Sequence, residues 1–358
     1  MLLRNGIFSL ALALPAFAVA GRAQLAPSPD SPPVSTAPAP PTEDAPDATY
    51  KLNVNLVDLF FTVKDKNGNL VPHLNQQNCS VEENKAPQTF KSFVAETDLP
   101  LTLGILVDTS GSQYRLLPME KDAASQFIQQ VLRSKDEAFL VSFDVNVDLE
   151  QDYTNSPRLL SRALNKIEIN TAGGNGTGIP GLGGGTIPTI GDPKGTLLYD
   201  AIYQAANDKM NQETGRKAMI VLTDGEDEGS QKKIGEAIAA AEKNNIIVYV
   251  ILLADRAMYY SQGEGYFGYG PAKRISDETG GRLIDVGNKG DKLRAAFQQI
   301  QDELRTQYLA SYTSTNTKAD GAFRKVILQC HGDQGPDQEL KVQLRKGYYA
   351  TMADNGAN

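Results

Sequence analysis

The chain predicts an α/β fold: a doubly wound, mostly parallel sheet inserted in a β-sandwich that is built from both chain ends. Three observations predict it. Apolar runs alternate with amphipathic helical stretches between Leu101 and Gln307, the pattern of a sheet covered on both faces. Short segments with period-two alternation flank that region on either side. Two of the central apolar runs stop directly at acidic motifs, Asp108-Thr-Ser-Gly-Ser112 and Thr223-Asp224-Gly225.

The flanking segments come first. Val54, Leu56, Leu59, Phe61 and Val63, a turn at Asn67-Gly68, then Leu70, Leu74, Val81, Phe90 and Phe93 read as short antiparallel strands within 49–97. So thin a sheet needs a cover. Tyr308–Thr313, Phe323–Cys330 and Leu340–Leu344, within 308–350, alternate in the same way and are expected to supply it. Residues 98–307 form the inserted domain. Its strands are expected at Leu101–Val107, Ala138–Phe143, Val147–Gln151, Ala218–Leu222, Ile246–Leu253 and Arg282–Val286, in the order 3-2-1-4-5-6. Its helices are expected at Glu120–Leu132, Pro157–Ile167, Leu197–Met210, Lys232–Lys243, Ala272–Thr279 and Lys292–Arg305. In that strand order the run ending at Asp108 lies beside the run ending at Asp224, at the crevice where strand order reverses and ligands collect.

Residues 1–23 carry Arg4, an apolar stretch Ile7–Ala20, and small residues at Ala18 and Ala20, the pattern of a signal peptide cleaved before Gly21. The apolar stretch is shorter than the roughly 20 residues a spanning helix needs. An exported protein, periplasmic or secreted, with no integral membrane segment after cleavage is therefore expected. Residues 24–48, rich in Pro, Ala, Ser and Thr, read as an extended linker, and 351–358 as a tail. Cys79 and Cys330 are the two cysteines. In an oxidising compartment an even count invites pairing. Val326, Leu328 and Cys330 share a parity, as do Cys79 and Val81, so inward-facing parities would let the cysteines meet across the sandwich.

A chain of 358 residues with 41% hydrophobic and 22% charged content has enough material for sizeable cores. Its formal charge of −8 argues against nucleic acid as a partner. At the strand ends the chemistry is all oxygen. Asp108, Ser110 and Ser112 can turn inward from one loop, and carboxylate with hydroxyl oxygens suits a hard cation such as Mg²⁺ better than zinc. Helix N-capping explains one such residue but not three at alternate positions. Glu226, Asp227 and Glu228 add acidity beside Asp224, either as a second cation site or as solvated loop charges. His73 and His331 are too few and too far apart in sequence to suggest a zinc cluster.

On these motifs the chain resembles the von Willebrand factor type A family, whose fold is Rossmann-like and whose metal-ion-dependent adhesion site uses a D-x-S-x-S loop, a Thr and a further Asp. The resemblance implies Asp108, Ser110 and Ser112 for the loop, Thr196 for the second element and Asp224 for the third. Asp65-Lys-Asn-Gly68, the run Thr223–Ser230, Gly321-Ala-Phe-Arg-Lys325 and Arg345-Lys-Gly-Tyr-Tyr349 narrow the resemblance to the VWFA-related domains of exported acidobacterial proteins. It covers roughly residues 50–350. What it implies is a Mg²⁺ ion, or Mn²⁺ or Ca²⁺, with one open position that takes an exposed Asp or Glu of a protein ligand.

Around such an ion, selectivity must come from neighbouring side chains. Tyr259, Tyr260, Tyr266, Phe267 and Tyr269 lie in the insert Met258–Gly270, which leaves the fifth strand, and are expected to face the partner. The glycine-rich insert Ala172–Gly195 leads into Thr196 and is expected to order on contact. An enzyme is not expected. The loop carries Ser110 where a phosphoryl-accepting site would place a second carboxylate, and no G-x-S-x-G, H-E-x-x-H or G-x-x-x-x-G-K-[ST] motif occurs. Two alternatives stand beside the adhesion reading: a metal-independent structural or assembly component of the cell envelope, and a metal-dependent hydrolase.

Overall fold

Strand-forming residues open the described part of the chain. Val57, Leu59, Phe61 and Val63 alternate with more exposed neighbours and form β1 (Leu56–Lys64). β2 (Cys79–Glu83), β3 (Ala86–Gln88) and β4 (Phe90–Ala95) follow. The α/β region contains β5 (Leu101–Asp108), α1 (Leu117–Val131), β6 (Glu137–Phe143), β7 (Val147–Thr154), α2 (Pro157–Lys166), α3 (Leu198–Gln204), β8 (Arg216–Thr223), α4 (Ile234–Lys243), β9 (Ile246–Leu252), α5 (Arg256–Ser261), α6 (Tyr269–Thr279), β10 (Leu283–Asp285) and α7 (Gly290–Arg305). β11 (Tyr308–Thr313), β12 (Phe323–His331), β13 (Glu339–Gln343) and β14 (Gly347–Tyr349) close the chain. This computed structural model describes residues 56–95, 99–169, 195–261, 263, 265–332 and 339–352, all within the compact unit Asn53–Asn358. The expected signal peptide, linker and tail tip, and the Ala172–Gly195 insert apart from Gly195, lie outside the described residues.

The six-stranded sheet runs β10-β9-β8-β5-β6-β7, parallel except for β7. In the order of the expected strands this is 3-2-1-4-5-6. Every residue of β5, β8 and β9 is buried, which is why these strands read as continuous apolar runs rather than alternating ones. On one face Leu103, Ile105 and Val107 pack with Phe127, Ile128, Leu160, Leu164, Phe297 and Ile300, from α1, α2 and α7. On the other, Leu106, Val221 and Val250 pack with Ile202, Ala237, Ala241 and Ile275, from α3, α4 and α6. The stretch expected to be one helix to Met210 is α at Leu198–Gln204 and widens into a π turn at Ala205–Lys209. The insert Met258–Gly270 begins within α5 and reaches into α6, which starts at Tyr269; the glycines at 263, 265, 268 and 270 interrupt the helical pattern in the sequence.

Both chain ends meet in the second sheet, but not as two facing sheets. Its strands form one antiparallel path, β3-β2-β12-β13-β1-β11-β4, with β14 on β12. The length of β1 is the reason. Its first part pairs with β11, from Leu56 opposite Thr313 to Phe61 opposite Tyr308, and its end pairs with β13, from Thr62 opposite Gln343 to Lys64 opposite Lys341. One strand thereby joins what a sandwich would keep apart. Val57, Leu59, Phe61, Val81, Tyr312, Val326, Leu328 and Cys330 share one core, so the inward parities hold. Cys79 and Cys330 form a disulfide, yet they are directly opposite on neighbouring strands β2 and β12 rather than across a core.

Two buried glutamates at this sheet, Glu83 and Glu303, have partners. Glu83 accepts hydroxyl bonds from Tyr312 (2.9 Å), Tyr348 (2.8 Å) and Ser314 (2.8 Å) and faces Arg324. Fully buried Glu303, near the end of α7, takes Lys64 of β1 at 2.6 Å and Arg282 at 3.2 Å, and its second oxygen accepts from Gln343 of β13 at 3.3 Å. The last turn of α7 is thus pinned to the antiparallel sheet. Removing one partner of such a buried ion pair typically costs about 3–5 kcal/mol.

Two outcomes are expected. Unreduced, denatured protein should show no free thiol by alkylation and mass spectrometry, and Cys79→Ser with Cys330→Ser should lower stability by roughly 2–5 kcal/mol; two alkylated thiols in the wild type would contradict the pairing. A chain ending at Gln307 should lose the antiparallel sheet, because β1 then has neither β11 nor β13; a β1 that stays protected from amide exchange in that chain would contradict this.

Candidate metal centre

β5 and β8 run parallel in register, with Val107 beside Leu222, so Asp108 and Thr223 end the two strands side by side. Asp108 is fully buried. Its Oδ2 accepts from the Thr223 hydroxyl at 2.7 Å and its Oδ1 from the Ser110 backbone N–H at 2.9 Å. Asp224, the next residue, is 1% exposed. The Ser112 hydroxyl donates to Asp224 Oδ2 at 2.5 Å, and Ser110 Oγ lies 3.0 Å from Ser112 Oγ. Four of the five expected ligands are therefore joined by direct contacts or through Thr223. Thr196 joins through the backbone: it pairs with Glu228, N–H to carbonyl in both directions at 2.9 and 3.0 Å, on the loop that begins at Asp224.

The donor set fits a small hard cation. Octahedral Mg²⁺ at about 2.1 Å from each oxygen requires neighbouring oxygens about 3 Å apart. The spacing of Ser110, Ser112 and Asp224 side-chain oxygens, 2.5–3.0 Å, is of that order. Among the described residues no group of three or more His, Cys, Asp and Glu side chains is placed to hold an ion. The set here has two carboxylates, and the rest are hydroxyls. Burial, and then the charge of Asp224, pushes the Asp108 carboxyl up to about 7, the signature of anionic groups gathered without a counter-charge.

The five aromatic residues expected to face a partner divide. Tyr259 and Tyr266 turn inward. The Tyr259 hydroxyl donates to Asp224 Oδ2 at 2.5 Å and the Tyr266 hydroxyl to the Asp224 carbonyl at 2.7 Å, with the rings 5.4 Å apart. Arg256 stacks over Tyr266 and pairs with Asp285. Tyr260, Phe267 and Tyr269 are exposed, at 67%, 75% and 44%. Tyr114, two residues beyond Ser112, is exposed as well. A cleft of about 520 Å³ lies between the Asp108–Ser112 loop and α5, lined by Ser112, Tyr114, Arg115, Asp255, Ala257 and Ser261.

In the acidic run after Asp224, two of the three carboxylates have protein donors. Glu226 accepts from the Phe267 and Gly268 N–H groups, and Asp227 accepts from the Tyr199 N–H (3.0 Å) and the Ser230 hydroxyl (2.6 Å). Close approach fixes the glycines here. A Cβ on Gly225, whose φ is +83°, would stand 2.4 Å from the Gly268 carbonyl oxygen.

Three site residues were not singled out from the sequence. Thr223 holds Asp108 in place; its position beside Asp224 at a strand end was the available signal. Gln113 donates to the Leu253 carbonyl at 3.2 Å and lies 3.5 Å from Ser112 Oγ. Glu120, in the first turn of α1, is buried within electrostatic reach of both Asp108 and Asp224. A glutamate in a helix's first turn is ordinary, so nothing in the sequence marked it.

No family model matches the chain, and no curated protein matches it. Among solved structures it is similar to a von Willebrand factor type A protein from Catenulispora acidiphila, at 12% identity, covering 86% of this chain and 76% of that one, with a TM-score of 0.44. BatB from Bacteroides thetaiotaomicron is 20% identical over 57% of this chain and 98% of that one, with a TM-score of 0.42. Proximal thread matrix protein 1 from the mussel byssus, with zinc in its MIDAS motif, is 15% identical over 61% of this chain and 48% of that one, with a TM-score of 0.44.

Thr223→Val keeps the shape and removes the hydroxyl that holds Asp108 and accepts the Gly225 N–H. Urea denaturation of the cation-free protein should show a loss of about 1–3 kcal/mol. An unchanged midpoint and slope would mean that this bond does not hold the loop.

Proposed function

We propose that this protein is an exported, metal-dependent protein-binding module of the von Willebrand factor type A kind, similar in its motifs to the VWFA-related domains of exported acidobacterial proteins. One observation carries the reading: Asp108, Ser110, Ser112 and Asp224 place their oxygens together at the point where the sheet order reverses. Export rests on the N-terminal sequence pattern. Among the described residues no helix is long and apolar enough to cross a membrane.

Mg²⁺, Mn²⁺ or Ca²⁺ would be held by Asp108, Ser110, Ser112, Thr196 and Asp224, and would supply an electrophilic position for a carboxylate. With only two carboxylates among five donors, the ion keeps much of its charge. The ligand is therefore a protein with an exposed Asp or Glu. Tyr260, Phe267 and Tyr269 surround the approach and supply contact area at low entropic cost. Binding, rather than turnover, is the proposed role.

Titration calorimetry should give one Mg²⁺ or Mn²⁺ per wild-type chain and none for Asp108→Ala. Equal binding by both would place the ion elsewhere. In a pull-down from the native envelope fraction, the partner should be retained with Mg²⁺ and lost in EDTA; retention in EDTA would favour a metal-independent assembly component. Replacing Tyr260, Phe267 and Tyr269 by Ser should weaken capture by tenfold or more with the ion still bound, since clustered aromatic anchors contribute about 2 kcal/mol or more at interface centres. Unchanged capture would move the recognition surface away from this rim.

A further inference from the structure

Among the described residues, carboxylate oxygens shut off from solvent have donors, with one exception. Glu83 has three hydroxyls and Arg324, and Glu303 has Lys64, Arg282 and Gln343. Glu120 is 1% exposed, and neither of its carboxyl oxygens meets a hydrogen-bond partner. Among the described residues no other carboxylate is left so. A buried carboxylate without a partner is one of the costliest groups a fold can carry.

Its position is specific. Glu120 lies twelve residues after Asp108, in the first turn of the helix that the metal loop feeds, and the two charges acting on it are Asp108 and Asp224. Both are like charges, which makes the burial worse in the absence of a cation. A second buried atom lacks a partner in the same loop. The side-chain oxygen of Gln113, a residue 1% exposed, accepts nothing, although its amide nitrogen is satisfied by Leu253 and lies against Ser112. Three orphaned acceptor atoms and no orphaned donor thus belong to the turn Gly111–Gln113 and the first turn of the helix that follows it. Acceptors in excess are what a site missing a positive charge looks like.

We infer that Glu120 is the buried counter-charge of the cation site: a third carboxylate that acts on the ion through space, while Asp108, Ser110, Ser112 and Asp224 hold it. The inference rests on the metal reading of that site. Glu120 is a positioning and affinity-setting residue rather than a ligand, in keeping with the absence of a three-carboxylate ligating group among the described residues. The cation would offset a burial that no protein group compensates. Two ligating carboxylates neutralise a divalent ion, and the third leaves the centre net negative, so the site takes up cations strongly and discriminates for divalent over monovalent charge.

The test is Glu120→Gln, which keeps shape and removes charge. Mn²⁺ affinity is measured by titration calorimetry, and melting temperature is measured in EDTA and in Mn²⁺. E120Q should bind Mn²⁺ about tenfold or more weakly, as loss of a unit charge beside a buried ion implies. Its melting temperature in EDTA should equal or exceed that of the wild type, and its rise on adding Mn²⁺ should be smaller. Glu120→Asp, which keeps the charge, should restore most of the affinity. A purely structural glutamate would instead lower the melting temperature equally with and without Mn²⁺ and leave affinity unchanged, and that result overturns the inference. So does an E120Q chain that fails to fold, since a neutral isostere should not destabilise an uncompensated position. Wild-type binding with E120Q unchanged removes this inference alone; a wild type that binds no Mn²⁺ removes the metal reading with it.

Discussion

Two carboxylates held side by side at the buried ends of β5 and β8 are the constraint around which the upper rim of this protein is organised. Parallel register, with Val107 beside Leu222, brings the two strand ends together. Hydroxyls and an N–H group from neighbouring segments are committed to them: Ser110 and Ser112 from the first loop, Thr223 from the strand end and Tyr259 from beyond β9, while Tyr266 holds the Asp224 backbone carbonyl. Neutral donors reduce the repulsion but cannot cancel the charge. The rim is a preorganised cage of oxygen atoms.

The rest of the fold supplies rigidity to that cage. β5 and β8 are central strands with both faces covered, so their ends are fixed by packing on two sides. α7, which covers one face, is tied at its end to the second sheet through Glu303, Lys64 and Arg282. The disulfide lies far along the chain from either carboxylate and joins strands that the first and last parts of the fold contribute. Closing a loop of that length acts on the unfolded ensemble more than on the site.

Much of this was legible in the sequence because two periodicities speak plainly. Continuous apolar runs marked β5, β8 and β9, helical stretches separated them, and the strand order followed from the doubly wound pattern. Parity in β1 and β12 identified the inward residues, including Cys330. The arrangement of the outer strands was not legible. Parity says which way a side chain points, but not which strand lies alongside, and β1 bends from β11 to β13 where a sandwich would have kept two sheets. The cysteines are cross-strand neighbours for the same reason. The aromatic rim was half legible: composition revealed that aromatics gather at the site, whereas the inward turn of Tyr259 depends on α5, whose pattern the nearby glycines interrupt, and that of Tyr266 on the segment between α5 and α6. Glu120 was invisible, since its meaning comes from what surrounds it in space and not from its neighbours in sequence.

That the oxygen cage is a cation site is tested most directly by anomalous diffraction at the manganese edge from crystals grown with Mn²⁺. The account predicts one strong anomalous peak among the side-chain oxygens of Asp108, Ser110, Ser112 and Asp224, with Glu120 near but outside its coordination shell. A fully occupied peak elsewhere, or a cage without manganese in crystals shown to contain it, would contradict the account.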